Sequence, residues 1–253
     1  MIRVASAAWW LQIRLLTTSP FFLGIALMTP LAYLAIALLI QGEDGSPARV
    51  TEHVIGAGLM GAWSATLYGA GEALYMQRWT GTLQLLVAAP RSLVGPVVGF
   101  SAAAVTLGGY SVVAVWVLAR WVFGVSLTVQ DGLAVAAGLV MCLLALSAIG
   151  MVLAAYYVLS RQALTVSNML EYPIWIASGL LISTSVLWSP VVWVGKLLPF
   201  GWAVDVVHRG IAGEPYVSTL AMSVLVTSAY VGLGVFLLHR VDHAVRRTGR
   251  LGL

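Results

Sequence analysis

The sequence predicts an all-α integral membrane protein with six transmembrane helices. Three observations predict it. The chain of 253 residues is 60% hydrophobic and only 9% charged, whereas soluble domains carry about 25% charged residues. Its apolar runs are long enough to cross a bilayer, which takes about 20 residues of helix. Its charges fall between those runs instead of within them. The length suits one membrane domain, residues 1–253, with no large soluble domain at either end.

Residues 1–17 fit an amphipathic interfacial helix. At 100° per residue Arg3, Ser6, Arg14 and Thr17 share one side, and Ala5, Ala8, Trp9, Leu15 and Leu16 the other, with Gln12 the exception. This apolar run is split by Gln12 and Arg14 and no small-residue cleavage site follows, so it does not have the form of a signal peptide. The first span is 20–40, free of charge, and a polar loop with Glu43, Asp44, Gly45 and Pro47 follows. The second span is 54–75. Its Ala57, Gly61, Ala65, Gly69 and Ala73 recur every four residues, a small-residue stripe suited to close helix packing. A short helix over 80–90 comes next. Thr80 or Thr82 can cap its start, Gly81 supplies a turn, Leu83, Leu86 and Val87 form an apolar edge, and Pro90 stops it.

Spans 92–119 and 133–160 are long and uncharged, which implies tilt or interfacial extension. Residues 161–171 read as a polar connection and 172–187 as the fifth span, starting with Pro173. Residues 190–215 are apolar but broken by Pro190, Gly195, Pro199, Gly201 and Gly213, and they carry Lys196, Asp205, His208 and Arg209. Two short re-entrant helices fit, with Asp205 and Arg209 at the spacing of a helical ion pair. The last span is 216–238, and a basic tail, 239–253, closes the chain.

Six spans put both termini on one side. Arg3, Arg14, Arg78, Arg91, Arg161, Arg240, Arg246, Arg247 and Arg250 lie on that face, against Arg49, Arg120, Lys196 and Arg209 on the other. The positive-inside rule makes the first face cytosolic, in a multi-pass plasma-membrane protein. Trp116, Trp121, Trp188, Trp193 and Trp202 then belong to an outer aromatic belt, and Trp9, Trp10 and Trp79 to an inner one.

The chain lacks a GxxxxGK[ST] phosphate loop; its one lysine, Lys196, sits in VGKLLP. HExxH, GxSxG and paired cysteines are absent too, and the lone Cys142 reads as a packing thiol. The net charge of +4 is explained by topology and does not imply nucleic acid. His239 and His243 share a helical face of the tail and read as solvated. Glu72 and Glu171 lie near the cytosolic ends of spans, and either an interfacial pairing with an arginine or a gating role fits them.

Glu72, Arg78 and then GTLQLLVAAP resemble the E…R.GTLE.LL..P signature of type-2 ABC exporter permeases, the membrane subunits of drug, lipid and polysaccharide exporters. Ser178-Gly179, Pro190, Leu198-Pro199 and Arg209 resemble the family's SG…P…LP…R pattern. Gln84 departs from the usual glutamate. The resemblance covers nearly the whole chain: interfacial helix, six spans, cytosolic coupling helix after span two, outer helical hairpin before span six. It implies that two separate cytosolic ABC ATPases, which hold the ATP and Mg, dock on the coupling helix, while this chain binds no cofactor or metal. The coupling set would be Glu72, Arg78, Thr80, Gly81, Thr82, Leu83, Gln84, Leu86, Val87 and Pro90. A second permease, identical or related, would complete a pathway lined by Met28, Tyr33, Met60, Trp63, Tyr68 and Trp175, with core packing the alternative for each. Pro199, Asp205 and Arg209 would mark the outer hairpin. The expected protein is a bacterial multidrug-type or lipid exporter with an amphipathic cargo, because no charged group lies deep in the spans. A membrane-embedded lipid-modifying enzyme built on Asp205, His208 and Arg209 is the alternative. A secondary transporter is disfavoured by the missing buried charges and broken repeat helices.

Overall fold

The computed structural model describes residues 2–41, 46–66, 72–82, 85–86, 92–160, 162–180 and 187–248. All regular structure among them is helical. Helix α1 is Ile2–Thr18, α2 Pro20–Gln41, α3 Pro47–Thr66 and α4 Glu72–Trp79. Helix α5 is Val94–Val117, continued by a π-turn Leu118–Val122, and α6 is Gly132–Leu159. Then come α7 Ala163–Ala177, α8 Ser189–Leu197, α9 Pro199–Ala212 and α10 Val217–Thr248. Three helices, α5 with its π-turn, α6 and α10, are each long and apolar enough to cross a membrane, and α8 with α9 forms a bent pair that passes together. The six-span layout is thus matched only in part among the described residues.

Local chemistry sets the ends. Proline opens α2, α3 and α9, where its fixed φ suits a first turn and its missing N–H costs nothing. Asp131 caps α6, its carboxylate accepting from the backbone N–H of Leu133 and Ala134, both at 3.0 Å. Gly213 takes the left-handed conformation that ends α9. Between α8 and α9 the chain turns by 104° at Leu198, the break expected from Leu-Pro in the hairpin.

One reading of the sequence is corrected. Residues 163–171 are not a polar connection: α7 runs through them, because Ala163, Leu164, Met169 and Leu170 are helix formers and one carboxylate does not break a helix. The basic tail is helical to Thr248, continuous with the last span. Leu238, Val241 and Val245 bury one stripe of it, and Arg246 Nε reaches the buried Asp242 carboxylate at 2.9 Å.

Small residues let the backbones meet. A Cβ on Gly61 would overlap the Ser111 hydroxyl, and one on Gly108 would press on Ala62, so α3 lies tightly on α5. Of the predicted stripe, Ala57, Gly61 and Ala73 are buried, and Gly69 lies outside the described residues. Gly99 similarly admits α1, whose Trp9 indole donates to Thr106 at 3.1 Å. At one end of the bundle Ala73 and Leu74 of α4 join Val97 and Phe100 of α5, Ala154 and Val158 of α6, and Leu238 and Val241 of α10. Helix α1 packs there too, through Ala8, so α1 and the last turns of α10 meet α4 at this end. The hairpin occupies the opposite end: α9 buries Phe200, Ala203, Val204 and Val207 in the central core with Trp63 and Leu146.

Candidate functional site

Helix α4 is anchored by Ala73 and Leu74, which are buried in the cluster at the terminal end. It stops at Thr80-Gly81. Gly81 has φ +74°, the left-handed region that favours glycine. The Thr80 hydroxyl donates to the Met76 carbonyl at 3.0 Å, and Thr82 donates to the Gln77 carbonyl at 3.2 Å. The two threonine oxygens are 2.9 Å apart. These threonines therefore help close the C-terminal end of α4, where carbonyls are orphaned; the residues whose N–H groups they would cap in a following helix, Leu83 and Gln84, lie outside the described residues. Leu83, Gln84, Val87 and Pro90 lie outside the described residues, as do the side chains of Glu72 and Arg78.

Beside this turn is a groove of about 920 Å³. Its walls are α1, with Arg3, Leu11 and Gln12, and α4 and its turn, with Gln77, Thr80 and Thr82, and Leu85 and Leu86 line it as well. Leu85 is 72% exposed and Leu86 half-buried. Gln12, the exception on the apolar face of α1, is buried at this groove.

The residues assigned to a pathway divide. Met60, Trp63 and Trp175 are buried inside the chain's own core, and the Trp63 ring packs 6.1 Å from Phe200 of α9. Tyr33 is half-buried and Met28 is exposed on α2. Tyr68 lies outside the described residues.

The structure brings Tyr33 and Trp175 to a polar group that the sequence placed elsewhere. Ser64 of α3 donates to Glu171 Oε1 at 3.0 Å, and the Tyr33 hydroxyl lies 3.2 Å from Ser64 Oγ. With the single serine proton used on the carboxylate, tyrosine is the donor to serine, giving an ordered chain from α2 through α3 to α7. The Tyr33 and Tyr172 rings each stand edge-on to Trp175 at 5.3 Å. Ser64 is 17 residues along α3 from Pro47, about 26 Å of helix rise from the hairpin end and two residues before the end of α3 at Thr66, so the half-buried Glu171 lies toward the end of the bundle away from the hairpin. Among the described residues no ion pair includes it. Arg161 and the side chain of Arg78 lie outside the described residues, and the hydrogen-bond partner seen for Glu171 is Ser64, itself backed by Tyr33. Glu171 lies inside α7 instead of just before a span. The signal was available in the helix-forming residues before Glu171, which move the start of α7 back by two turns.

In the hairpin Pro199 is buried at the start of α9. Arg209 Nε lies 3.5 Å from Asp205 Oδ2, and Arg209 also approaches Glu214 at 3.7 Å and donates to the Pro215 carbonyl at 3.0 Å. Arg209 is thus engaged in fastening the end of α9 to the segment that opens α10. Among the described residues no group of three His, Cys, Asp or Glu side chains could hold a metal ion.

The family model described as ABC-2 type transporter matches residues 4–211. No curated protein matches the chain.

Proposed function

The chain belongs to the ABC-2 type transporter family, so it is the membrane subunit of a transporter and not an enzyme, and from that premise we propose that it exports an amphipathic or lipid-like molecule from the cytosol. The family match over 4–211 carries the reading. Permeases of this family work with ABC ATPases. The ATPase, with its ATP and Mg, docks at the groove between α1 and the turn after α4, where Leu85 and Leu86 offer an apolar contact. Two ATPases and two permeases, identical or related, make the working unit. The groove, both chain ends and most of the arginines face the cytosol, as the positive-inside rule requires. Exposed apolar residues on α2 and α7, among them Met28, Leu39 and Met169, support a second permease or lipid against these helices.

The test is co-purification from the native membrane followed by ATP hydrolysis. An ATPase subunit is expected to come with the wild-type chain. Leu85→Asp with Leu86→Asp should lower its recovery by at least about tenfold, because two charges would enter an apolar contact. Unchanged recovery with unchanged export would sink the docking surface.

A further inference from the structure

Glu171 is a half-buried carboxylate on the apolar helix α7, with no basic partner among the described residues. Ionisable groups on apolar helices of a membrane protein are costly and mark functional sites when they persist. Its Oε1 is held by Ser64, which is backed by Tyr33. That arrangement fixes the position of the charge without neutralising it. Glu171 is itself half-buried, so it reaches the surface of the chain. The surrounding rings are Tyr33, Tyr172 and Trp175, and Tyr172 is 63% exposed. Trp175 is buried, and its indole N–H has no acceptor among the described residues. The helices that carry the group add exposed apolar surface, Met28 and Leu31 on α2 and Met169 on α7.

A fixed carboxylate beside aromatic rings recognises an organic cation: the charge attracts it, and ring faces stabilise it where water is scarce. The apolar surface suits the rest of such a molecule. We propose that Glu171, with the exposed Tyr172 and the half-buried Tyr33, binds the cationic group of an amphipathic molecule, while the buried Trp175 holds the two tyrosine rings in place. This narrows the cargo and rests on the permease reading.

The experiment is equilibrium binding of radiolabelled tetraphenylphosphonium to the purified full chain in phosphatidylcholine nanodiscs, with empty discs subtracted. Saturable binding is expected. Glu171→Gln keeps the shape and the serine contact but removes the charge, and should weaken binding by at least about tenfold. On the wild type, neutral triphenylphosphine oxide should compete at least about tenfold less well than unlabelled cation. The second arm needs no variant, so it holds even if Glu171→Gln folds poorly. No saturable binding, equal binding by folded Glu171→Gln, or equal competition by the oxide overturns the proposal. Both arms use the permease alone, so their result is separate from whether an ATPase joins it.

Discussion

Helices α6 and α7 follow each other in the chain but are held in opposite ways. Helix α6 meets its neighbours backbone to backbone. A Cβ on Gly138 would press on the Val207 backbone of α9, one on Gly210 on Val135, and one on Gly234 of α10 on Met151. The Asp131 N–H adds a hydrogen bond to the Gly210 carbonyl at 2.9 Å. Helix α7 lies close along its backbone to α6 and α8, but it joins α2 and α3 through long side chains, Trp175 on Tyr33 and Glu171 on Ser64. Glycine contacts tolerate almost no displacement, because the repulsive wall is steep. Side-chain bridges can change rotamer and re-form. The contrast separates a frame from an adjustable element, and the adjustable element carries Glu171, which has no basic partner among the described residues.

Three substitutions test that contrast. The largest effect belongs to Gly138→Leu, which drives a branched side chain into α9. It should cost about 2–3 kcal/mol by overpacking, read as a lower unfolding midpoint in detergent, with α9 losing hydrogen-exchange protection first. A neutral result would mean that the frame is looser than its geometry. Next is Ser64→Ala, which leaves Glu171 without its donor. The expected loss is about 1–2 kcal/mol, and binding of an organic cation should change with it, whereas Gly138→Leu variants that still fold should bind normally. If Ser64→Ala is silent in both measurements, the bridge is ornamental and α7 is held otherwise. The smallest effect is Asp205→Asn in the hairpin. Arg209 and Asp205 are 34% and 43% exposed, so solvent screening reduces the pair to below about 0.5 kcal/mol, and Arg209 keeps Glu214 and the Pro215 carbonyl. A large loss there would place adjustable contacts in the frame and blur the distinction.

The frame was largely legible in the sequence, and the adjustable element was not. Long uncharged runs located α2, α5 and α6 to within a few residues, because nothing competes with helix in an apolar stretch lacking punctuation. Leu198-Pro199 marked the bend of the hairpin, since proline restricts the residue before it. The start of α7 was read too late because the charge of Glu171 was taken as a boundary, whereas the helix runs through it. Whether a carboxylate ends a span depends on its partners, and Ser64 and Tyr33 come from 107 and 138 residues away in sequence. Thr80 also serves the helix before it, which the sequence does not reveal. A hydroxyl beside a glycine can serve the helix before it or the one after it, and only the fold decides. The groove arises from α1 meeting the turn after α4, which no single segment encodes.

The hairpin's contact with α7 has a geometric consequence. Gly195 of α8 sits so close to the Ala177 carbonyl that a Cβ would overlap it. That contact pins one end of α7. From Ala177 to Ala163 the helix extends about 21 Å. The far end is enclosed too, since Ala163 and Ser167 are fully buried. Glu171 lies six residues from the Gly195 contact, about 9 Å along the helix. The carboxylate thus sits on a helix gripped at both ends, so its position is set by the packing at those ends as much as by its own hydrogen bond.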